Sequence, residues 1–319
     1  MLPWLACLLK RSENGSSQSF EQHRYISSNK RISDMKILAT VDGSKHGKWA
    51  IEWLAEMPFA VQPVVRVLHI IDVASVRAPF MTQPAIVGTG RYIQSEVKRM
   101  EAVAKSTKKE SEGLLSTLGL SGTVTTDQGA VAATIMKHAQ RGVGLLSIGS
   151  RGLDALDRFM LGSISNHAIH HAPCSVLVVK ESPRPVRHLV LAIDGSSASD
   201  KAVKFLIRNV NPTPDGLDRE PVVVTVIHAV PYFKYPEVKE AGKALVQRYG
   251  AKLSKSGFQI REVLRLGKPA DEILTVAKQE KADLIVTGAK GLGAIRRVLL
   301  GSVSTRVVQH AHCGVLVVR

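Results

Sequence analysis

The chain has 319 residues, enough for two domains that each bury a core, and its 45% apolar and 22% charged residues are ordinary for a globular protein. No apolar run reaches the roughly 18 residues needed to cross a bilayer, and three cysteines make neither a disulfide framework nor a metal cluster, so a membrane span is excluded and a reducing cytoplasm fits. The 43 Lys and Arg against 27 Asp and Glu give a net charge of +16, but these charges form no block and aromatics are only 5%, which argues for small anions as partners and against nucleic acid.

Residues 1–34 belong to no recurring unit. MLPWLACLLKR followed by a Ser-rich stretch reads as a transit peptide, as an unusual signal, or as residues upstream of a true start at Met35. The last account is favoured because MKILATVDGS needs nothing before it.

From there the pattern predicts a strand over Lys36 to Val41, a turn at Asp42-Gly43-Ser44, and a helix through Trp49, Ile51, Trp53 and Leu54 to near Pro58. A buried strand follows over Val64 to Ile71, then a polar loop from Asp72 to Gly90 and a long helix from Tyr92 to about Leu118. Thr123 to Gln128 reads as an edge strand and Val131 to Ala139 as a short helix. The apolar run Leu145 to Ile148 leads into GSRGLDALDRFMLGSIS, a helix to His171 and a closing strand over Val176 to Val179.

After the Pro-rich linker Glu181 to Arg187 the order recurs: strands at His188, Val222, Gln259 and Leu284, helices at Ser199, Pro236 and Ala270, then GAKGLGAIRRVLLGSVS and its closing strand. Domains 35–180 and 187–319 result. The glycine stretches lie 139 residues apart, whereas the spacing falls from 159 between His69 and His228 to 138 between Gly129 and Gly267. An insertion of about 21 residues therefore follows the second strand of the first domain, and it is a candidate lid. Alternating strands and helices imply right-handed crossovers and a parallel sheet, doubly wound, in each half.

Both glycine stretches carry Gly at positions 1, 4 and 14 with a serine after the last: Gly149, Gly152, Gly162 and Ser163, then Gly288, Gly291, Gly301 and Ser302. Ser163 and Ser302 suit the N-cap of the helix that follows. A strand, a glycine turn and a helix start gather unpaired N–H groups and a positive dipole end at one spot, where phosphate can sit. A glycine pair after one strand is ordinary turn chemistry, but its duplication with different residues between is harder to explain that way. No Gly-x4-Gly-Lys-Ser/Thr loop is present, so backbone must carry the phosphates. Charge-assisted hydrogen bonds are worth about 1.5–3 kcal/mol each, so three or four approach the ~8 kcal/mol of micromolar binding.

The spacing Gly-x2-Gly-x9-Gly-Ser after a strand, with ILATVDGS and LVLAIDGS at the start of the halves and HAPCSVLVV and HAHCGVLVV at their ends, resembles the universal stress protein family. The resemblance covers Met35 to Arg319 and implies two open five-stranded parallel sheets of order 3-2-1-4-5, the adenine nucleotide alpha hydrolase-like α/β fold, in tandem. It implies ATP, with Mg2+, bound where strands 1 and 4 diverge. It places Asp42 and Asp194 near adenine or ribose, although an Asx-turn explains the same residues, and it places backbone at Ile70 and Ala229 against adenine. The helix starts Ser163, Ile164, Ser165 and Ser302, Val303, Ser304 then hold phosphate, with charge from Arg151 and Lys290. It also implies pairing through the closing strands, internal in a tandem chain or between the chains of a homodimer.

No paired carboxylates or activated nucleophile stand beside the motif. The expected function is a cytoplasmic stress-response protein that senses ATP; a slow ATPase and a non-nucleotide scaffold are the alternatives. His167, His170 and His171 share one helix and His167 with His171 has i, i+4 metal-pair spacing, but the second half has Arg306, Gln309 and His310 there and no glutamate accompanies them, so no metal is expected. His69 and His228 are read as packing at strand ends, and Cys174 and Cys313 as small buried thiols.

Overall fold

The computed structural model describes residues 35–78, 89–152, 161–214, 220–230, 236–291 and 300–319. The first repeat runs β1 (Lys36–Val41), α1 (Lys45–Glu56), β2 (Val64–Ile71), α2 (Val73–Arg77), α3 (Thr89–Thr117), β3 (Gly122–Gln128), α4 (Val131–Ala139), β4 (Leu145–Gly149), α5 (Ser163–His171) and β5 (Ser175–Val179). The second runs β6 (His188–Ala192), α6 (Ser197–Asn209), β7 (Val223–Val230), α7 (Pro236–Ser254), β8 (Gln259–Leu266), α8 (Pro269–Gln279), β9 (Leu284–Gly288), α9 (Ser302–His310) and β10 (Gly314–Val318).

The central strands are near-continuous apolar runs because both their faces are covered, as parallel sheets require. Ile37, Ala39 and Val41 of β1 face a core shared with Trp53, Leu54 and Leu115, while Leu38 faces the opposite core with Ile135 and Ile169. Each repeat is a parallel sheet of order 3-2-1-4-5, and the two are not separate sheets: β5 and β10 join them into one ten-stranded sheet, β3-β2-β1-β4-β5-β10-β9-β6-β7-β8.

That junction is the one antiparallel pair of strands among the described residues, with Leu177 opposite Leu316 and Val176 and Val178 opposite Val317 and Val315. Leu177 and Leu316 are the same position of the two repeats, so a pseudo-twofold axis passes between them and the interface is isologous within one chain. Every residue of both strands is buried. The residues directly after the strands complete the symmetry: Lys180 donates to the carbonyls of Gln309 (3.0 Å) and Ala311 (2.9 Å) at the end of α9, and Arg319 donates to Ile169 O in α5. Each domain thus places a cation at the C-terminal carbonyls of the other's last helix, where the dipole favours it.

The linker is pinned. Asp283 accepts from the backbone N–H groups of Arg187 and His188 at 2.9 Å each and pairs with Arg184 at 2.8 Å. In the first repeat the matching residue, Gly144, packs on Met35. The indole N–H of Trp53 donates to Glu181 O at 2.9 Å, and its ring lies so close to Gly314 that a Cβ there would sit 2.8 Å from it.

The region expected as a loop from Asp72 to Gly90 contains α2, because the Asp72 carboxylate accepts from Ser75 N and caps a single turn. Residues 79–88, where most of the candidate lid would fall, lie outside the described residues. The insertion also lengthens a helix: α3 has 29 residues against 19 in α7. Among the described residues no helix is long and apolar enough to cross a membrane. Cys174 and Cys313 are free and buried, and burial pushes their thiols up to about 11 and about 12.

Burial also lowers the Lys180 ammonium, to about 8 against 10.5 for a solvated lysine. Between those values the unfolded chain binds more protons than the folded one, so the lysine's contribution to stability is complete above 10.5 and is lost as pH falls through about 8. The neutral amine still donates to both carbonyls. Urea unfolding of the natural chain and of Lys180→Met should therefore diverge in favour of the natural chain as pH rises from 8 to 10; a difference that stays flat or shrinks contradicts this.

Candidate functional site

In an open parallel sheet the crevice lies beyond the carboxyl ends of the strands where their order reverses, here between β1 and β4. A cleft of about 740 Å³ opens there in the first domain. Its floor is made by the ends of β1, β2 and β4, and one wall by the motif from Gly149 to Gly152 and from Gly162 to Ser165. The motif's middle, residues 153–160, and its counterpart 292–299 lie outside the described residues.

The glycines have different physical reasons. A Cβ on Gly149 would lie 2.7 Å from the backbone of His46, so only glycine lets β4 end against the first turn of α1. In the second domain a Cβ on Gly288 would lie 2.8 Å from the backbone of Ala198. A Cβ on Gly152 or Gly291 would lie 2.7 or 2.6 Å from the Oδ2 of Asp42 or Asp194, so the second glycine of each motif rests on the first-strand aspartate.

Gly162 and Gly301 are unlike the others. Their φ angles are −63° and −73°, open to any residue, and an added Cβ would make only ordinary contacts at 3.6 Å and beyond. They, and not the expected Ser163 and Ser302, are the N-caps of α5 and α9, and no cap side chain takes the first-turn N–H groups. The serines occupy the first helical position instead.

The loops are closed by backbone. Gly162 N donates to Ser150 O at 2.9 Å and Gly301 N to Ala289 O at 2.8 Å, while Ser150 N and Ala289 N reach back to Val179 and Val318 at the ends of the closing strands. Ser165 Oγ donates to Gly149 O at 2.7 Å and Ser304 Oγ to Gly288 O at 2.8 Å. These two hydroxyls are buried and committed to fixing each helix start on its strand end; what they leave for a ligand is N–H. Ile164 and Val303 pack on the core behind.

Asp42 Oδ1 accepts from Ser44 N at 2.9 Å and Asp194 Oδ1 from Ser196 N at 3.0 Å, so both Asx-turns exist. The second site holds its acid more tightly: Ser199 Oγ donates to Asp194 Oδ1 at 2.8 Å, where the first domain has Gly47, which packs directly under Asp42. The β1–β2 pairing ends at Val41 opposite His69, leaving the β1-side edge of Ile70 facing the cleft. In the second domain β7 likewise runs past β6, whose pairing stops at Ala192 opposite Ile227, and Ala229 lies in that overhang. His69 and His228 hold these strands together, each with Nδ1 at 3.0 or 2.9 Å from the carbonyl of Val41 or Ile193, so each Nδ1 carries the proton and donates.

Arg151 lines the first cleft, and Lys290 O accepts from Ser196 Oγ at 3.3 Å in the second domain. His46 lies behind Gly149, outside the cleft lining, and its imidazole is held below its ordinary value by burial and then by Arg151 and Lys45. Sequence reasoning missed Arg99, Met100 and Val103, which line the cleft from α3. Their helical spacing placed them on one face; only the fold shows that this face meets the cleft.

His167 and His171 stack with ring centroids 4.3 Å apart, and His170 Nδ1 lies 2.7 Å from Asn166 O. Among the described residues no group of three or more His, Cys, Asp or Glu is arranged to hold a metal.

The profile of the universal stress protein family matches residues 35–180 and again 185–319. A universal stress protein of Mycolicibacterium smegmatis is 28% identical over 302 residues, covering 89% of this chain and 96% of the relative. Universal stress protein MJ0531 of Methanocaldococcus jannaschii is 31% identical over 152 residues, 44% of this chain and 87% of its own. The crystal structure of a universal stress protein from Archaeoglobus fulgidus superposes with a TM-score of 0.63 at 19% identity, over 89% of this chain and 96% of that one. With the profile matching twice across a sheet that repeats its own order about a pseudo-twofold axis, the chain belongs to the universal stress protein family and carries that family's domain in tandem.

Proposed function

We propose that the first-domain cleft binds ATP with Mg2+, that the second domain carries a crevice of the same plan, and that occupancy sets the conformation or partner affinity of a cytoplasmic stress-response protein. The observation that carries this reading is the pair Gly162 and Gly301. Neither the backbone angles nor the packing demands glycine at either position, yet both repeats use it as a bare N-cap. A side chain there would stand where a phosphate approaches the first-turn N–H groups, which accounts for its absence.

The cleft volume of about 740 Å³ falls within the range of small-molecule pockets, about 300–1,000 Å³. The overhanging edge of Ile70 offers backbone groups to adenine, as that of Ala229 does in the second domain. Asp42 Oδ2, beside Gly152, offers an acceptor to ribose hydroxyls, and Arg151 adds charge at the phosphate end. Mg2+ arrives on the triphosphate and draws most of its shell from phosphate oxygens and water. In the second crevice Asp194, Lys290, Gly291 and the helix start Ser302 to Ser304 take the equivalent roles, with Ser199 holding the acid. This chemistry is binding with slow turnover at most.

Purified full-length chain should release ATP on denaturation and form negligible ADP over time when supplied with MgATP. Steady ADP formation would instead make it an ATPase, and absence of both would make it a scaffold. The glycines should separate by role. Gly149→Ala forces a Cβ into the His46 backbone and should cost about 1–3 kcal/mol of stability in urea unfolding. Gly162→Val with Gly301→Val should leave unfolding nearly unchanged and abolish ATP binding; undiminished affinity in that double variant refutes the phosphate site.

A further inference from the structure

A second cavity in the first domain, of about 200 Å³, lies between α1 and α3, on the other side of the Asp42-Gly43-Ser44 turn from the nucleotide cleft. Its walls mix apolar Ile51 and Leu114 with Lys48, Lys45 and the hydroxyls of Thr107 and Ser111. Those two residues are only 6% and 4% exposed, both line the cavity, and among the described residues neither hydroxyl has a hydrogen-bond partner. Their hydroxyls are therefore open to whatever enters the cavity.

The other repeat shows what fills this place. The spacing of 138 that relates Gly129 to Gly267 puts Leu245 at the position of Thr107 and Tyr249 at that of Ser111. The contacts agree: a Cβ on Gly43 would lie 3.4 Å from Thr107 Oγ1, and one on Gly195 would lie 3.3 Å from Leu245. Tyr249 is fully buried, its hydroxyl donates to Asp200 Oδ1 at 3.1 Å, and Arg248 and Lys252 lie against its ring at 4.9 and 5.1 Å. Where the second domain has an aromatic ring between α6 and α7, the first has two small hydroxyl residues and a cavity.

The charges are reversed as well. Lys48 stands at the position of Asp200, and it pairs with Glu110, at the position of Arg248, at 3.3 Å. In the second domain the polar tip of the ring meets an acceptor. In the first it would meet the Lys48 ammonium, shared with Glu110, with Lys45 close by on the Trp49 ring. A ligand seated like the Tyr249 ring must therefore bring an anionic acceptor where tyrosine brings a donor.

We propose that this cavity is a binding site for a small monocyclic aromatic carboxylate of the benzoate class, its ring between Ile51 and Leu114 in the place of the missing tyrosine and its carboxylate toward Lys48. The size fits: an apolar protein cavity of about 150 Å³ holds benzene, and about 200 Å³ leaves room for one carboxylate. The Thr107 and Ser111 hydroxyls provide donors at the ring's edge. The site is independent of the nucleotide reading.

Sodium benzoate titrated calorimetrically into the full-length chain should bind saturably at one site per chain. Ser111→Tyr rebuilds the second domain's packing in the first, so it should raise the unfolding midpoint and weaken benzoate binding at least tenfold. If that variant does not fold, Thr107→Leu, which introduces the residue of Leu245, should weaken binding in the same direction. Lys48→Met should weaken benzoate more than it weakens uncharged benzyl alcohol. Absence of saturable benzoate binding at millimolar concentration, or undiminished binding in the folded variants, overturns the proposal.

Discussion

One hydroxyl-to-carbonyl bond, from Ser165 to Gly149 at 2.7 Å, holds the start of α5 against the end of β4, and Ser304 to Gly288 repeats it at 2.8 Å. Because the buried serine ties the two elements on the core side, the helix start is free to turn its N–H groups outward. The bond from the last motif glycine to Ser150 or Ala289 then closes the intervening loop at its base. A geometry built this way depends on backbone and a buried hydroxyl, so the half-buried Arg151 and Lys290 can differ between repeats while the helix start is preserved.

The same helix starts mark where sequence reading worked and where it did not. The glycine spacing and the apolar runs revealed the strands, the repeat and the place of the motif, because strong periodic patterns and backbone requirements are written locally. The N-cap was misassigned by one residue: Ser163 and Ser302 have the better cap chemistry, but the helices begin one residue earlier, on Gly162 and Gly301. The pairing of the halves was readable only as an implication of resemblance. What fixes it is the register that sets Leu177 against Leu316, a relation between residues 139 apart that no local pattern carries. The α3 residues of the cleft were hidden for the same reason.

Duplication supplied two copies of one scaffold, and their differences are informative. Asp42 rests on Gly47 where Asp194 is gripped by Ser199. Asp283 pins the linker, where its counterpart Gly144 lies against Met35. Across the junction, Lys180 and Arg319 each attach one domain's closing strand to the last helix of the other, the helices that Gly301 and Gly162 cap. The two domains are thus joined through buried strands and helix ends as well as through the pinned linker.

The central claim is that main-chain N–H groups at two glycine-capped helix starts receive the phosphates. Backbone amide NMR of the full-length chain titrated with MgATP tests it most directly. The account predicts saturable shifts concentrated at Ser163, Ile164 and Ser165 and at Ser302, Val303 and Ser304. Shifts that leave both helix starts untouched while appearing elsewhere, or no shifts at all, would contradict it.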